Sequence, residues 1–345
     1  RLDNNITSGQ YITQLDVVGG QFAYLYIPGK DNITVSGLTV DMNMQNQTNK
    51  NVSNYSDFWL VGDNSALVNC RTINWGSTLA GTESFLFHNG GLVGNFYGAI
   101  ITNGNMHNAL IDGCIVGPPA QVLQADGTSA FTIGGGGCCG SVSNGAIANA
   151  LFPDTLNETN GGWSIGGEVR NCIIESNFTV ESTPVDVGSP KYFSCAILGS
   201  FTDGLRIHDN NFQGVKNGVA VFGEQGPYRN VMVDHNYVSG MAFGFSDVGY
   251  ASYISPKSGL IIKDNFFRVA STLNNSTGIR LGGPFETNFI NGVVISGNNV
   301  GTDTNAPGNM AIALTLTRAT NVVVENNVLD AGSNPDAAVY TNTYF

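Results

Sequence analysis

One short template recurs along the chain, and it constrains the fold more than any other feature of the sequence. It reads apolar, any, apolar, any, turn residue, Asn, any, apolar. The clearest copies are GLRIHDNNFQG (204–214), NVMVDHNYVSG (230–240), GLIIKDNFFRV (259–269), GVVISGNNVGT (292–302) and NVVVENNVLDA (321–331). Weaker copies precede them at 32–42, 65–75, 108–118 and 167–176. Self-similarity at a period of about 25–35 residues is typical of a solenoid, in which successive repeats stack.

Each copy has an apolar centre and a second apolar residue five positions later. The predicted centres are Val35, Val68, Ile111, Val169, Ile207, Val233, Ile262, Ile295 and Val324. The partners five positions later are Val40, Ile73, Val116, Ile174, Phe212, Val238, Phe267, Val300 and Leu329. Because the match holds in every copy, we expect these side chains to face a common core.

A bend separates the two apolar positions. Two residues after each centre stand Gly37, Cys70, Gly113, Asn171, Asp209, His235, Asp264, Gly297 and Asn326. Gly, Asn and Asp are the residue types enriched in left-handed backbone conformation. The next position is Asn in the last five copies: Asn210, Asn236, Asn265, Asn298 and Asn327. If coils stack about 4.8 Å apart, these five amides form a hydrogen-bonded ladder in the C-terminal half.

A second apolar run follows each copy, for example GVAVF (218–222), MAFGF (241–245), GIRL (278–281) and AIAL (311–314). We therefore predict an all-β solenoid of about ten coils, each with three short strands, in a single domain over residues 1–345. Residues 134–162 form the longest interruption and are interpreted as a loop insertion. The chain begins without Met and ends just after a strand-like run, so we expect it to be excised from a longer protein.

The composition excludes several classes of function. The net charge is −12, which disfavours nucleic acid because phosphates need a basic face. No apolar run approaches the length of a membrane span. The six cysteines have no zinc-site spacing, and their redox state is left open.

The bends and the Asn ladder at 210, 236, 265, 298 and 327 resemble the right-handed parallel β-helix of the pectin-lyase-like superfamily. The resemblance covers nearly the whole chain, and it implies a fold rather than one activity. Members include polysaccharide lyases, polygalacturonase-type hydrolases, phage tailspikes and non-catalytic surface proteins. The hydrolase motifs are absent, and the VDH at 233–235 is similar to a pectate lyase segment without its catalytic arginine segment.

The resemblance implies a substrate groove along the face of the second apolar runs. We expect small outward side chains there, at Ala220, Gly244 and Ala313, with Arg280 as the exception that binds substrate. An acid follows each of four successive runs, and these acids are the predicted catalytic residues: Asp203, Glu224, Asp247 and Glu286. Two carboxyl groups about 5–10 Å apart are what glycoside hydrolysis requires. The same oxygens could bind Ca²⁺ instead; no other cofactor and no dedicated metal ligands are predicted.

Other side chains leave alternatives open. Tyr250 and Tyr253 lie in a loop between coils and are predicted to stack on sugar rings. Asp234 and His235 resemble a metal-ligand pair, but His235 occupies the turn position and only His208 comes close as a partner. We therefore interpret Asp234 and His235 as turn chemistry.

Two functions fit the sequence. One is an extracellular, cell-surface or virion-borne protein that binds and hydrolyses a polysaccharide. The other is a non-catalytic structural or adhesive surface protein. An open solenoid end exposes strand edges, so further domains or a homotrimer of the tailspike type are expected partners.

Overall fold

The computed structural model describes the parts of the chain that form the repeated coils. These are residues 16–18, 21–27, 31–41, 55–60, 63–73, 97–102, 107–117, 129–134, 164–175, 195–200, 202–213, 219–222, 228–241, 243–247, 257–269, 276–282, 290–303, 310–330 and 339–341. Within them the chain forms 32 strands, numbered β1 to β32 in chain order, and no helix. Accordingly, no helix there is long and apolar enough to cross a membrane.

The strands build three long sheets. Sheet A contains β1 Asp16–Val18, β2 Gln21–Ile27, β5 Tyr55–Leu60, β8 Tyr97–Thr102, β11 Ser129–Gly134, β15 Cys195–Ser200, β19 Val219–Phe222, β23 Phe243–Asp247, β26 Ser276–Leu281, β29 Met310–Leu316 and β32 Val339–Thr341. Every pairing in it is parallel except that of β1 with β2. The ten parallel strands confirm about ten coils.

Sheets B and C complete each coil. Sheet B contains β3 Thr34–Ser36, β6 Ala66–Val68, β9 Leu110–Asp112, β12 Ser164–Ile165, β13 Glu168–Arg170, β16 Thr202–Asp203, β17 Arg206–His208, β20 Tyr228–Arg229, β21 Met232–Asp234, β24 Lys257–Lys263, β27 Ile290–Ser296 and β30 Ala319–Glu325. Sheet C contains β4 Thr39–Asp41, β7 Arg71–Ile73, β10 Ile115–Val116, β14 Ile173–Glu175, β18 Asn211–Gln213, β22 Tyr237–Met241, β25 Phe266–Val269, β28 Asn299–Thr302 and β31 Val328–Leu329. The fold is a right-handed parallel β-helix.

The bend between sheets B and C has the same backbone in all nine coils. Its residue has a positive φ of 52–68° at Gly37, Asn69, Gly113, Asn171, Asp209, His235, Asp264, Gly297 and Asn326. A second left-handed column, which sequence reasoning missed, precedes it by five residues at Asn32, Asn64, Asn108, Gly166, Gly204, Asn230, Gly259, Gly292 and Asn321. Counted from one column to the other with both ends included, the segment has six residues in each of these coils.

The second coil corrects the predicted register by one residue. Leu67, not Val68, pairs with both Val35 and Ile111, so Leu67 is the core centre. Asn69 rather than Cys70 is then the bend residue, and Thr72 rather than Ile73 faces the core, fully buried. The alternative register was attractive because it also places apolar residues five positions apart. The left-handed conformation favours Asn69 over Cys70, and this preference decides the register.

The Asn ladder is confirmed as a single interior column. The side-chain oxygen of Asn236 accepts hydrogen bonds from the backbone N–H and the Nδ2 of Asn210, at 3.1 and 3.0 Å. The same pair of bonds links Asn236 to Asn265, Asn265 to Asn298 and Asn298 to Asn327. Each amide also donates to the carbonyl of a core residue one coil earlier, which satisfies groups that would be costly to bury unpaired.

Three thiols continue the ladder toward the N-terminus. With the corrected register, Cys70, Cys114 and Cys172 occupy the ladder position, are buried and are free. Their sulfurs lie 3.5–3.8 Å from Val35 O, Leu67 O and Ile111 O, the core carbonyls equivalent to those that the amides bind in later coils. Contact with the Cys172 thiol, together with burial, raises the pKa of Cys114 to about 12, and contact with Cys114 likewise raises the pKa of Cys70. These thiols are therefore structural.

Candidate functional site

Four of the predicted site residues lie outside the described residues: Glu224, Glu286, Tyr250 and Tyr253. Arg280 lies in β26 and is half-buried. The predicted 134–162 insertion also falls outside them, apart from Gly134 at the end of β11. The remaining predicted acids, Asp203 and Asp247, are described.

Asp203 is a hydrogen-bonded acid at the end of a strand of sheet B. It ends the short strand β16, one residue before the left-handed Gly204. Its Oδ2 accepts a hydrogen bond from Arg229 Nε at 2.7 Å, and its Oδ1 accepts one from Asn230 Nδ2 at 2.8 Å. Both carboxylate oxygens are therefore held by the neighbouring coil.

Asp247 lies inside the β-helix. It ends β23 with an exposure of 0%, and its oxygens accept hydrogen bonds from Tyr228 Oη and from Lys257 Nζ. In the next coil the same column position is Leu281, followed by Leu316. Asp247 thus replaces a core leucine instead of facing solvent.

Asp203 and Asp247 bind opposite sides of β20, because Asp247 binds the buried Tyr228 and Asp203 binds the partly exposed Arg229. The small residues expected to face outward are also placed differently. A Cβ on Gly244 would lie 2.6 Å from a ring carbon of the buried Phe267, so this position faces the core. Ala313 has an exposure of 0% and belongs to the core. Ala220 lies in β19, but its side chain is outside the described set.

Among the described residues, charged and imidazole side chains are most concentrated on the outer face of sheet B. Here many of the residues that alternate with the core positions, or that occupy the adjoining bend, are charged or imidazole side chains in coils three to seven. We call this set the sheet B patch: Asp112, Glu168, Arg170, Arg206, His208, Asp209, Asp234, His235, Lys263 and Asp264. Two columns of paired residues run through the patch. In one, Glu168 pairs with Arg206 of the next coil. The other contains, from coil to coil, Asp112, Arg170, His208, Asp234 and Lys263.

His208 links two acids of the patch. Its Nε2 lies 2.6 Å from Glu168 Oε1 in the preceding coil, and its Nδ1 lies 2.6 Å from Asp209 Oδ2. The imidazole is nearly buried, whereas the Asp209 side chain is half exposed. Both ring nitrogens of His208 therefore lie against carboxylate oxygens, which fixes the orientation of the imidazole ring.

Arg170 binds two acids, Asp112 and Glu168, at the N-terminal end of the patch. Its Nη2 donates to Asp112 Oδ2 at 2.9 Å, and its Nη1 donates to Glu168 Oε1 at 3.3 Å. The hydrogen bond from Arg170 lowers the pKa of Asp112 below its ordinary value. Asp112 therefore stays ionised well into the acid range.

Asp234 is the buried centre of the patch. It has an exposure of 0%, and Arg206 binds it in a bidentate manner through Nε and Nη2 at 2.9 and 2.7 Å. His235 Nδ1 lies 2.8 Å from its Oδ2. Burial alone would raise the pKa of Asp234, but the hydrogen bonds from Arg206 and His235 outweigh burial, and the net pKa is lowered. Asp234 is thus a buried, compensated carboxylate.

The turn interpretation of His235 is confirmed by its φ of 53°. The turn interpretation is incomplete for Asp234, because its buried carboxylate also binds Arg206 and His235. Sequence reasoning missed the patch although the signal was present. Charged residues recur at the positions flanking the centres Val169, Ile207 and Val233, on the outward phase of the strand. Among the described residues no group of three or more His, Cys, Asp or Glu is arranged to hold a metal ion.

Comparison with known proteins supports the fold. No protein-family model matches the sequence, and no curated protein matches it significantly. The tailspike protein of E. coli bacteriophage HK620, solved in complex with a pentasaccharide, aligns with a TM-score of 0.52 and 11% identity. That alignment covers 92% of this chain but 53% of the tailspike, so the chain spans about half the tailspike's length.

A second solved structure is similar over a larger share of its own length. PfbA, a surface adhesin of Streptococcus pneumoniae, aligns with a TM-score of 0.50 and 12% identity over 91% of this chain and 72% of that one. At such identities the likeness is one of fold. Both alignments support the right-handed parallel β-helix fold of this chain.

Proposed function

We propose that the protein binds a polysaccharide at a cell surface or on a virion, and that the sheet B patch is its contact surface. The observation that supports this most directly is the concentration of charged and imidazole groups on one outer face in a chain that is only 12% charged. Carboxylates, guanidinium groups and imidazoles provide donors and acceptors in fixed directions. A hydroxyl-rich polymer lying along the β-helix can use both kinds.

The fold itself does not require these charges. Further along the column that contains Glu168 and Arg206, the residues are Met232, Ile261 and Val294. The same outer positions therefore accept apolar side chains elsewhere. Charges that packing does not require are better explained by recognition.

Hydrolysis is the catalytic part of the proposal. An inverting or retaining glycosidase needs two carboxyl groups that can reach the glycosidic bond, with a separation of about 5–10 Å. Both oxygens of Asp203 and of Asp247 are already hydrogen-bonded to cations or polar groups. Of the four acids, we therefore assign the general acid and its partner to Glu224 and Glu286. Arg280, Tyr250 and Tyr253 are the proposed sugar-binding residues, and a Ca²⁺ ion bound by the same acids remains the alternative to hydrolysis.

The binding proposal is tested on a glycan array. Glu168→Gln and Asp209→Asn alter half-exposed members of the patch, and we expect each to weaken binding about tenfold, which corresponds to roughly 1.4 kcal/mol. Glu325→Gln is the matched control, because Glu325 lies in the Asp234 column beyond Lys263 and Ser296, outside the patch. Equal binding by all three variants would overturn the assignment of the surface.

The catalytic part is tested separately. The wild-type protein and the Glu224→Gln and Glu286→Gln variants are incubated with the glycan that the array identifies, and reducing ends are measured. We expect release by the wild type and loss of release in both variants with binding retained. A wild type that binds the glycan and releases no ends contradicts hydrolysis and leaves the binding proposal standing.

A second candidate function is a non-catalytic structural or adhesive protein that assembles with copies of itself. The observation that favours it is the exposure of the last coil's interior. Val324 is 41% exposed, whereas the equivalent Ile295 and Ile262 are fully buried. A homotrimer or a further domain would cover this surface. Light scattering of the wild type and of Val324→Asp tests it: an oligomer that dissociates in the variant supports assembly, and a monomeric wild type contradicts it.

A further inference from the structure

Three polar side chains form a buried cluster where sheet A meets sheet B. Tyr228, Asp247 and Lys257 have exposures of 1%, 0% and 6%. Lys257 Nζ lies 2.5 Å from Asp247 Oδ1, and Tyr228 Oη donates a hydrogen bond to Asp247 Oδ2. The ammonium also lies 5.7 Å from the centre of the Tyr228 ring. The carboxyl group is therefore enclosed by its two partners inside the β-helix.

The neighbouring coil shows that the fold does not need this ion pair. Asp247 pairs with Leu281 in sheet A, and Lys257 pairs with Ile290 in sheet B. Both of these residues are fully buried and belong to the hydrophobic core. The same two column positions thus accept an apolar pair, which avoids the cost of removing two charges from water. The ion pair at 247 and 257 needs a reason other than packing.

The geometry suits a reaction between the two groups. The Lys257 amine contacts Oδ1 directly and the carboxyl carbon lies one bond beyond that oxygen, so the two reacting groups are held together in the core. The Tyr228 hydroxyl hydrogen-bonds the carboxyl oxygen that does not touch the amine, where negative charge would develop during attack.

We propose that Lys257 and Asp247 become joined by an intramolecular amide bond. A proton passes from the Lys257 ammonium to the Asp247 carboxylate, and the neutral Nζ attacks Cγ. The Nζ–Cγ bond forms, one Cγ–O bond breaks, and the oxygen leaves as one molecule of water together with the carboxyl proton and a proton from the amine. No oxidant, reductant or second reactant is required. Both charges disappear, so the product is better suited to the core than the ion pair.

The bond would link the last residue of β23 to the first residue of β24. It closes a covalent ring over residues 247–257 and fastens sheet A to sheet B within one coil. Holding the two groups together replaces an encounter in solution, an advantage that reaches effective concentrations of about 10⁵–10⁸ M in well-oriented intramolecular reactions. The structure therefore assigns Asp247 a cross-linking role and removes it from the candidate glycosidase acids.

Mass spectrometry of the purified full chain tests the proposal. The expected mass is lower than the sequence mass by one water molecule, about 18 Da, a covalent change that fragment spectra can locate. A tryptic digest is expected to contain one peptide, residues 230–263, with an internal loop from Asp247 to Lys257 and no cleavage after Lys257. After limited proteolysis within 248–256, the two halves should remain together under denaturing and reducing electrophoresis.

Matched variants make the result decisive. Lys257→Arg and Asp247→Ala should each have the full mass expected from their sequence. The double variant Asp247→Leu/Lys257→Ile installs the apolar pair of the next coil and serves as the folding control. A folded wild type with the full sequence mass overturns the proposal. So does a water loss that persists in Lys257→Arg, because it must then arise elsewhere.

Discussion

Asn265 accepts two hydrogen bonds from Asn236 on a single side-chain oxygen, one from the backbone N–H and one from Nδ2, both 3.0 Å long. Its own Nδ2 donates to Val233 O, Lys263 O and Asn298 Oδ1. Asn265→Ala would leave several buried groups unpaired, each at a cost of about 1–3 kcal/mol. We expect the free energy of unfolding to fall by roughly 3–5 kcal/mol in urea titrations.

The control for this prediction is Asn327→Ala at the end of the ladder. Asn327 is half-buried, so water can replace the bonds that it makes, and we expect a loss of about 1–2 kcal/mol. Equal losses at the two positions would mean that the ladder does not depend on burial.

Gly278 lies where the core has no room for a side chain. A Cβ there would lie 2.0 Å from Val300 Cγ1 and 2.8 Å from Ala313 O. We expect Gly278→Ala to destabilise the fold by about 2–3 kcal/mol through overpacking, measured by thermal and urea unfolding. Adding Val300→Ala should recover part of the loss. Destabilisation that Val300→Ala only increases would contradict this steric explanation.

Gly37 is the control for Gly278, because there is space for a side chain around it and its backbone is left-handed. No heavy atom would lie within 4 Å of its added Cβ, but its φ is +68°. Gly37→Ala should lose about 1 kcal/mol from backbone strain alone. Gly37→Asn should lose less, because Asn69 holds the same position in the next coil. A larger loss for Asn than for Ala would refute the interpretation of the bend column.

The column of buried thiols, Cys70, Cys114 and Cys172, makes the free energy of unfolding depend on pH in the alkaline range. The folded pKa of Cys114 is about 12, against an ordinary value of 9.0. Because the folded state keeps this proton when the unfolded state has lost it, the stabilisation is complete below pH 9 and declines as the pH rises toward 12. We expect unfolding midpoints to fall over that range, and iodoacetamide to modify Cys114 only after unfolding. The Cys114→Ala variant should show a shallower decline, and a decline of unchanged slope would exclude this thiol as the cause.

Arg206 compensates the buried charge of Asp234. Arg206→Ala should destabilise the protein at neutral pH by about 1–3 kcal/mol, less than for a fully buried pair because the Arg206 side chain is 45% exposed. Without the guanidinium, burial should raise the pKa of Asp234. The deficit should therefore shrink as the pH falls from 7 toward 3.5, because the carboxyl group of the variant takes up its proton at a higher pH than that of the wild type.

The check is urea unfolding of the wild type and of Arg206→Ala at pH 7 and pH 3.5. The double variant Arg206→Met/Asp234→Ser uses residues that these two columns hold elsewhere, at Met232 and Ser296. It should recover most of the stability at pH 7. A deficit that is constant with pH would rule out the charge of Asp234 as its cause.

The fold could be predicted from the sequence because stacking forces identical positions to meet the same environment. The Asn residues at 210, 236, 265, 298 and 327 are recognisable because a buried amide is stable only beside another one. The register of the second coil was wrong because Leu67 and Val68 are both apolar. The left-handed backbone at Asn69 distinguishes the two registers. A preference for that conformation is harder to recognise in a sequence than hydrophobicity is.

The candidate site was less predictable. Asp247 follows an apolar run as Asp203 does, yet one is buried in the core and the other binds Arg229 at the end of a strand. The sequence alone does not show which acid has a buried lysine at its side, since Lys257 lies ten positions away. The sheet B patch was hidden for a similar reason: Glu168 and His208 are forty residues apart in the chain and 2.6 Å apart in space.

The two columns of left-handed corners separate the winding of the chain from the length of its loops. Between Ile207 and Val233 one turn takes 26 residues, and between Ile111 and Val169 it takes 58, yet both end in the same corner. The length and sequence of most of each coil can therefore change, while the six-residue segment between the two left-handed positions keeps its backbone conformation. Distant homologues should be easier to find by searching for Asn or Gly pairs spaced five apart than by overall residue similarity.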